Sequence, residues 1–282
     1  QTAVIDGRLL YDPRDEETAF SSNAALAILD YMRDHVYGEK VPDEEIDFDA
    51  LKFAADIADI TAETFEGSGE TYDNIKSLLA HAHASLPFSG GKYRLVIRSA
   101  TEPSFDFNDD NISGDISIGS AGASDKYNRV TVTFVDPELN WEENTVVYPT
   151  DADEYQQLLS EDNGIEKEGE VTANMITNKY QALDYARRYL YESRKSLAIG
   201  FSALPAARCV LPGQVVSVTT AELGSFLFTV EKRVVTADGE YKFTLKEYDP
   251  SLYSWINTAD LSTGATPSMP SAFNLPAPQN IA

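Results

Sequence analysis

Cysteine is almost missing: Cys209 stands alone in 282 residues. A lone thiol excludes an intrachain disulfide and a multi-cysteine zinc site within one chain. Its neighbours in Ala206-Ala207-Arg208-Cys209-Val210-Leu211 are mostly apolar, which predicts a small buried hydrophobe. Histidine is nearly as scarce, at three residues. His81 and His83 lie two apart on a predicted helix, so they are expected on different faces, partly exposed, rather than as an i, i+4 metal pair. His35 sits near a helix end, where a positive charge suits the dipole. Triad and zinc-hydrolase chemistry therefore have little material. No apolar run reaches the length of a membrane span, and the N-terminus lacks a basic-then-apolar leader, so neither a membrane span nor an export signal is expected. Gln1 is not an initiator Met, and the expectation is a fragment or a processed product. Basic residues are also short: 22 Lys and Arg against 46 Asp and Glu give a formal charge of −24. Such a chain is repelled by phosphate backbones and anionic lipid, which speaks against stable nucleic-acid binding.

Motifs of catalysis are missing too. Gly90-Gly91-Lys92 lacks the upstream glycine of a phosphate loop and is followed by Tyr93 instead of Ser or Thr. There is no G-x-S-x-G elbow. Asp106-Phe107-Asn108-Asp109-Asp110-Asn111 places oxygens from Asp106, Asn108 and Asp110 at positions one, three and five of a calcium-type loop. Position six is Asn111 instead of Gly and position twelve is Ser117 instead of Glu, so the closing bidentate ligand is missing. These residues are the one weak calcium candidate, and a solvated acidic turn is the plainer reading. Pairs such as Glu44-Glu45 and Glu142-Glu143 are too common in so acidic a chain to mark a glycosidase. The expectation is no enzyme, no cofactor and no metal.

What is present is a foldable chain, with 43% hydrophobic and 11% aromatic residues, enough for one large or two modest domains. Ser21, Ser22 and Asn23 are N-cap candidates for a helix bearing Ala25, Ile28, Leu29, Met32 and Val36, with Gly38 as its stop. A second helix starts at Asp47 or Asp49, with Phe48, Leu51, Ala55 and Ala58 on one face. Glu66 to Glu70 reads as a flexible break. A third helix is predicted over 72–86, ended by Pro87 and Gly90-Gly91. From Lys92 the period becomes two: Tyr93 to Ile97 and Val130 to Val135 read as strands, the latter with Val130, Val132 and Phe134 on one face. The chain leaves and re-enters a strand around Trp141, and 150–164 reads as a polar loop. Thr177 is the expected cap of the longest helix, about 178–194, with Ala182, Tyr185, Ala186, Tyr189 and Leu190 as its stripe. Pro212-Gly213 launches a strand over 215–218, and Phe226–Val235 and Tyr241–Tyr248 form a hairpin through Asp238-Gly239. The segment after Trp255 is rich in Ser, Thr and Pro and ends Leu275-Pro276-Ala277-Pro278, an extended linker.

The N-terminal pattern, Gly7-Arg8-Leu9-Leu10-Tyr11-Asp12-Pro13-Arg14 followed by Ser22-Asn23-Ala24-Ala25-Leu26 and Ile28-Leu29-Asp30-Tyr31, resembles the hub region of the tail tip attachment protein J family of long-tailed, lambda-type phages and prophages. Gly91-Lys92-Tyr93-Arg94-Leu95, Asp109-Asp110-Asn111-Ile112, Tyr127 to Asp136, Gln181-Ala182 with Ala186-Arg187 and Leu190, and Pro212-Gly213-Gln214-Val215 resemble further motifs of that family in the same order. The likeness runs through residues 4–280. It departs at Gln214, where Asp is common, and at Ala24, where Pro is usual; Pro to Ala at a first helical turn is conformationally tolerable. Helix, turn and barrel strand in this order also resemble the baseplate hubs of contractile-tailed phages.

The resemblance implies an α+β fold: strand-rich hub or barrel domains, short helices in the N-terminal third, and one longer helix before the C-terminal barrel strands. It implies a mixed hub segment over 1–98, a β-rich barrel-type domain over 99–255, and a linker over 256–282 toward a fibronectin type III domain. It implies a homotrimeric, non-catalytic virion component at the distal tail tip, closing the tube, contacting distal tail and tape-measure proteins, supporting receptor attachment through flanking regions, and opening for DNA ejection. An acidic lumen would let DNA pass without sticking. A second reading is a carbohydrate or cell-surface binding module using Trp141, Tyr148, Tyr253 and Trp255, for which core or interface packing is the plainer account. A third, an acidic hydrolase, finds no constellation to support it.

Overall fold

The computed structural model describes residues 7–61, 75–120, 126–195, 197–221, 223–236 and 239–253. The expected break at 66–70, the linker over 256–282, and the residues Trp255 and Asp238 lie outside these. The fold is α+β, and three large apolar cores organise it, beside a smaller cluster of Val215, Tyr248, Leu252 and Tyr253. No helix of the described residues is long and apolar enough to cross a membrane.

The N-terminal core is helical. A hairpin of β1 (Leu10–Asp12) and β2 (Glu17–Ala19) leads into α1 (Ala24–Arg33), α2 (Phe48–Thr61) and α3 (Ile75–His81). Asn23 caps α1: its Oδ1 accepts from the amides of Ala25 at 2.9 Å and Leu26 at 3.3 Å. Its Nδ2 donates to the Ala55 carbonyl at 2.9 Å and to Asp59 at 2.7 Å, so one side chain both starts α1 and ties it to α2. The helix does not run on to Val36, which is 92% exposed. The Asp34 carboxylate accepts from the amides of Val36 and Tyr37 and turns the chain out of the helix. Gly38 is no helix stop; it passes so close to α1 that a Cβ there would sit 1.9 Å from the Tyr31 carbonyl oxygen.

The expected third helix is shorter at its C-terminal end. It stops at His81, because His83 adopts a left-handed φ of 46° and Ala84–Ser85 (β3) pairs with Val96–Ile97 (β6). Between them Phe88–Ser89 (β4) pairs with Lys92–Tyr93 (β5) across Gly90 and Gly91, both at positive φ. The single strand expected at 93–97 is therefore two short ones in separate ladders.

A second unit is a six-stranded curled sheet: β7 (Asp106–Asn108), β8 (Ile112–Ser120), β12 (Leu197–Ala203), β13 (Val215–Thr220), β14 (Gly224–Val235) and β15 (Tyr241–Glu247). Its order is β7-β13-β14-β15-β12-β8. The strands at opposite ends, β7 and β8, are separated in sequence only by residues 109–111, so the sheet curls to bring its edges within reach of one turn. Register shifts between Gly200 and Ser202 and between Val230 and Lys232 mark where it bends. The concave side is filled by Phe107, Phe201, Phe228 and Phe243, with Ile199, Val216, Val218, Val230 and Leu245. Phe107 meets Phe201 edge-on at 5.0 Å and Phe243 at 5.1 Å.

The third unit is inserted between β8 and β12. Here β9 (Arg129–Asp136) lies between antiparallel β10 (Glu142–Tyr148) and parallel β11 (Glu168–Ala173). Val130, Val132 and Phe134 are buried on one face, as their alternation predicts. Against that face packs α5 (Lys179–Arg194). Its cap is Asn178, whose Oδ1 accepts from Tyr180 N at 2.9 Å, rather than Thr177, which is buried one residue earlier. The stretch 150–164 is not a loop: Asp151 caps α4 (Ala152–Glu161), which crosses from β10 to β11. Only Leu158 of α4 is buried, so it carries no apolar stripe.

Candidate functional site

The three units meet at α5. Asp184 is buried on this helix and pairs with Arg187 at 3.1 Å and Arg188 at 2.7 Å. Arg187 also donates to the Leu252 carbonyl at 2.8 Å, which fastens the C-terminal turn Pro250–Tyr253 to the helix. Arg188 is the largest of the fully buried side chains. One turn on, Glu192 accepts from Arg98 at 2.7 Å and from the Tyr253 hydroxyl at 3.0 Å. Burial works against the Arg98 charge, and Glu192 together with Tyr253 and Glu231 outweighs it, so its proton is held more tightly than usual. Burial first, and Glu192 second, push the Tyr253 hydroxyl up. Beside this, Tyr248 donates to the Ser99 carbonyl at 2.6 Å and accepts from Thr101 N at 3.1 Å. The connection between the helical unit and the curled sheet is thus clasped by tyrosines and a charged pair. Sequence reasoning marked Tyr253 only as a surface-binding aromatic and did not join it to Arg98 and Glu192, because the three lie far apart in the chain and only the fold unites them.

The histidines join the same junction. The His83 ring lies 4.6 Å from Tyr185 and the His81 ring 6.3 Å from it, so both reach one aromatic partner instead of diverging. The helix ends between them, which removes the helical spacing on which the expectation of opposite faces rested. His81 is buried. Desolvation, followed by the charges of Arg188 and Arg98, then His81 and Arg187, holds the His83 imidazole well below its usual pKa.

A small cavity of about 50 Å³ lies beside the clasp, lined by Arg98, Glu192, Lys195, Glu247, Asp249 and Tyr253 among others. Lys195 pairs with Asp249 at 2.9 Å and Glu247 at 3.5 Å, so its walls are neutralised in place. Among the described residues no group of three or more His, Cys, Asp or Glu side chains is placed to hold a metal ion.

The acidic turn has a structural job. Asp106 accepts from Ser217 Oγ at 2.7 Å, and Asn108 Oδ1 accepts from Asp110 N at 3.1 Å. Asn111 donates to the Asp106 carbonyl at 2.9 Å. Asp109 accepts from Ala221 N at 3.2 Å, beyond the end of β13, while the Asn111 carbonyl accepts from Leu204 N at 3.0 Å, beyond β12. Residues 109–111 are the seam where the sheet's two edges meet.

The aromatic set of the surface-binding reading does not hold together. Tyr148 and Tyr253 are 6% and 8% exposed. Tyr148 and Tyr191 both donate to Glu154, at 2.8 and 2.5 Å, and burial followed by that carboxylate pushes the Tyr191 hydroxyl up to about 12. These are core hydroxyls with a shared acceptor. Trp141 alone of the described members is exposed, at 42%. Cys209 is exposed too, contrary to its apolar neighbourhood: in the turn Pro205–Cys209 the inward positions are Ala207 and then Val210.

Comparison with known proteins accords with this architecture. A family described as "Putative phage tail protein" matches residues 70–233, more than half of the chain. The chain is 22% identical over 265 residues to the baseplate hub protein pb3 of Escherichia phage T5. That match covers 83% of this chain and 27% of the relative, so the chain spans about a quarter of that protein's length. Among solved structures, a chain of the virion of a native gene transfer agent particle superposes with a TM-score of 0.54 at 17% identity, over 81% of this chain and 53% of that one. At that identity the likeness is one of fold.

Proposed function

The chain belongs to the phage tail protein family, and from that premise we propose that it is a structural part of a tail tip or baseplate hub, assembling with copies of itself and with neighbouring tail proteins at the distal end of the virion. The observation that carries the reading is the alignment with a baseplate hub protein through 83% of the chain, helical unit and curled sheet alike. The architecture supports it. The connections between units are clasped by a part-exposed Arg98–Glu192 pair and by tyrosines, which suits a part that transmits load, and the inside of the curled sheet is packed with phenylalanines. A tube through such an assembly runs between copies, not through one chain. In the full reading the hub is trimeric, closes the tube, supports receptor attachment and opens for DNA ejection. Its −24 charge keeps DNA from adhering to surfaces it passes. The role is non-catalytic.

The test is genetic. Deleting the coding segment from its phage or prophage leaves filled heads without functional, attached tails, and supplying the chain in trans restores infectivity. Normal tails and normal infectivity from the deletion strain contradict the proposal.

A further inference from the structure

The turn between β9 and β10 is built to hold out two large apolar side chains. Pro137–Leu139 form a single helical turn capped by Asp136, whose Oδ1 accepts from Glu138 N at 2.9 Å. Asn140 and Trp141 then both take left-handed backbone, with φ of 59° and 64°. Asparagine tolerates that region; a bulky residue such as tryptophan does so at a cost, which surrounding structure must hold in place. The holding group is again Asp136, buried, whose carbonyl accepts from Trp141 N at 3.0 Å and whose Oδ2 accepts from Asn144 Nδ2 at 2.7 Å. The result is a fixed tip on which Leu139 and Trp141 are each 42% exposed.

The surroundings are of one charge. Glu138, Glu142 and Glu143 flank the tip and are exposed. Between Arg129 and Lys167 the sequence contains no lysine, arginine or histidine. A second copy would bring its own acidic excess to this face. A convex knob also suits a pocket in another protein better than a sugar, whose recognition needs a concavity that embraces the ring.

We propose that the Leu139–Trp141 tip is a docking knob that inserts into an apolar pocket rimmed by lysine and arginine on a different protein of the tail. Trp and its apolar neighbour supply the buried centre of the contact, and the three glutamates supply the complementary rim. The proposal rests on the tail-hub reading and adds to it which surface engages a neighbour and what chemistry that neighbour presents.

The experiment places the photocrosslinking residue p-benzoylphenylalanine at position 141 of the full-length protein, assembled into particles. Mass spectrometry first establishes that the chain is in the purified particle. The expected result is a crosslink to one other tail protein, at a peptide rich in lysine or arginine. Crosslinks only to this chain, only to host glycan, or to nothing, in particles that contain the chain, overturn the knob while leaving the hub reading standing. Absence of the chain from the particles overturns both. In parallel, Trp141→Ala and the triple change Glu138→Lys, Glu142→Lys, Glu143→Lys each lower incorporation into particles at least about tenfold, with circular dichroism and melting unchanged. Incorporation at the level of the unaltered chain contradicts the proposal.

Discussion

At the scale of single residues, Asp184 balances two buried cations, and the account makes it the most sensitive charged position in the described part of the chain. Asp184→Ala removes the carboxylate that both Arg187 and Arg188 engage and leaves their charges in a low-dielectric site. The expected loss is about 3–5 kcal/mol of unfolding free energy by urea titration, the usual range for breaking one side of a buried pair. A change below about 1 kcal/mol contradicts it. His83 makes a second prediction, about pH. Its folded-state pKa is depressed, by burial first and then by the surrounding arginines, so the unfolded chain binds a proton that the folded chain refuses. Above the ordinary histidine pKa of about 6.5 both states are neutral at this ring and stability is flat; below it, stability falls as pH falls, by up to about 1.4 kcal/mol per pH unit, until the folded ring itself titrates. Urea titrations at pH 7.5 and about one unit below that pKa should show a smaller acid-side loss in His83→Gln than in the unaltered chain. Equal losses in the two proteins contradict a depressed His83 pKa in the folded chain.

At the scale of elements, α1 depends on one capping residue that also bonds across to α2. Asn23→Ala should cost about 2 kcal/mol, the upper end of the range for an N-cap, because the Ala55 carbonyl loses its donor at the same time. A loss under about 0.5 kcal/mol by urea denaturation would mean that α1 is held by its apolar faces alone. This helix was legible in the sequence because Asn23 and a 3.6-residue apolar period coincide, and β9 was legible because Val130, Val132 and Phe134 alternate cleanly with Thr131 and Thr133. The failures have physical causes as clear as the successes. α4 buries only Leu158, so periodicity had nothing to register, although Asp151 followed by Asp153 and Glu154 was a cap signal that stood in plain view. β8 reads Ile-Ser-Gly-Asp-Ile-Ser-Ile-Gly-Ser, too rich in Gly and Ser to announce a strand, and it is defined by pairing with β12 from much later in the chain. The end of α1 was set by a side-chain bond from Asp34 and not by the glycine that seemed to punctuate it.

At the scale of the whole molecule, the coarse identity was carried by ordered motifs, whereas the junction at α5 was not, since it joins Arg98, Glu192 and the stretch from Tyr248 to Tyr253 from three separate segments. The seam of the curled sheet shows the same division: its acidic residues drew notice as ligand candidates, and the fold employs them as hydrogen-bond acceptors where two sheet edges meet. Family membership, a filled sheet interior and clasped units support the proposal that the chain is a structural part of a tail hub at the distal end of a tail. The most direct test is immunogold electron microscopy of particles induced from the source strain, with antibody raised against this chain. The account predicts gold confined to the distal tail tip. Gold on heads, gold along the whole tail, or particles that stay bare under an antibody that recognises the denatured chain on a blot would contradict it.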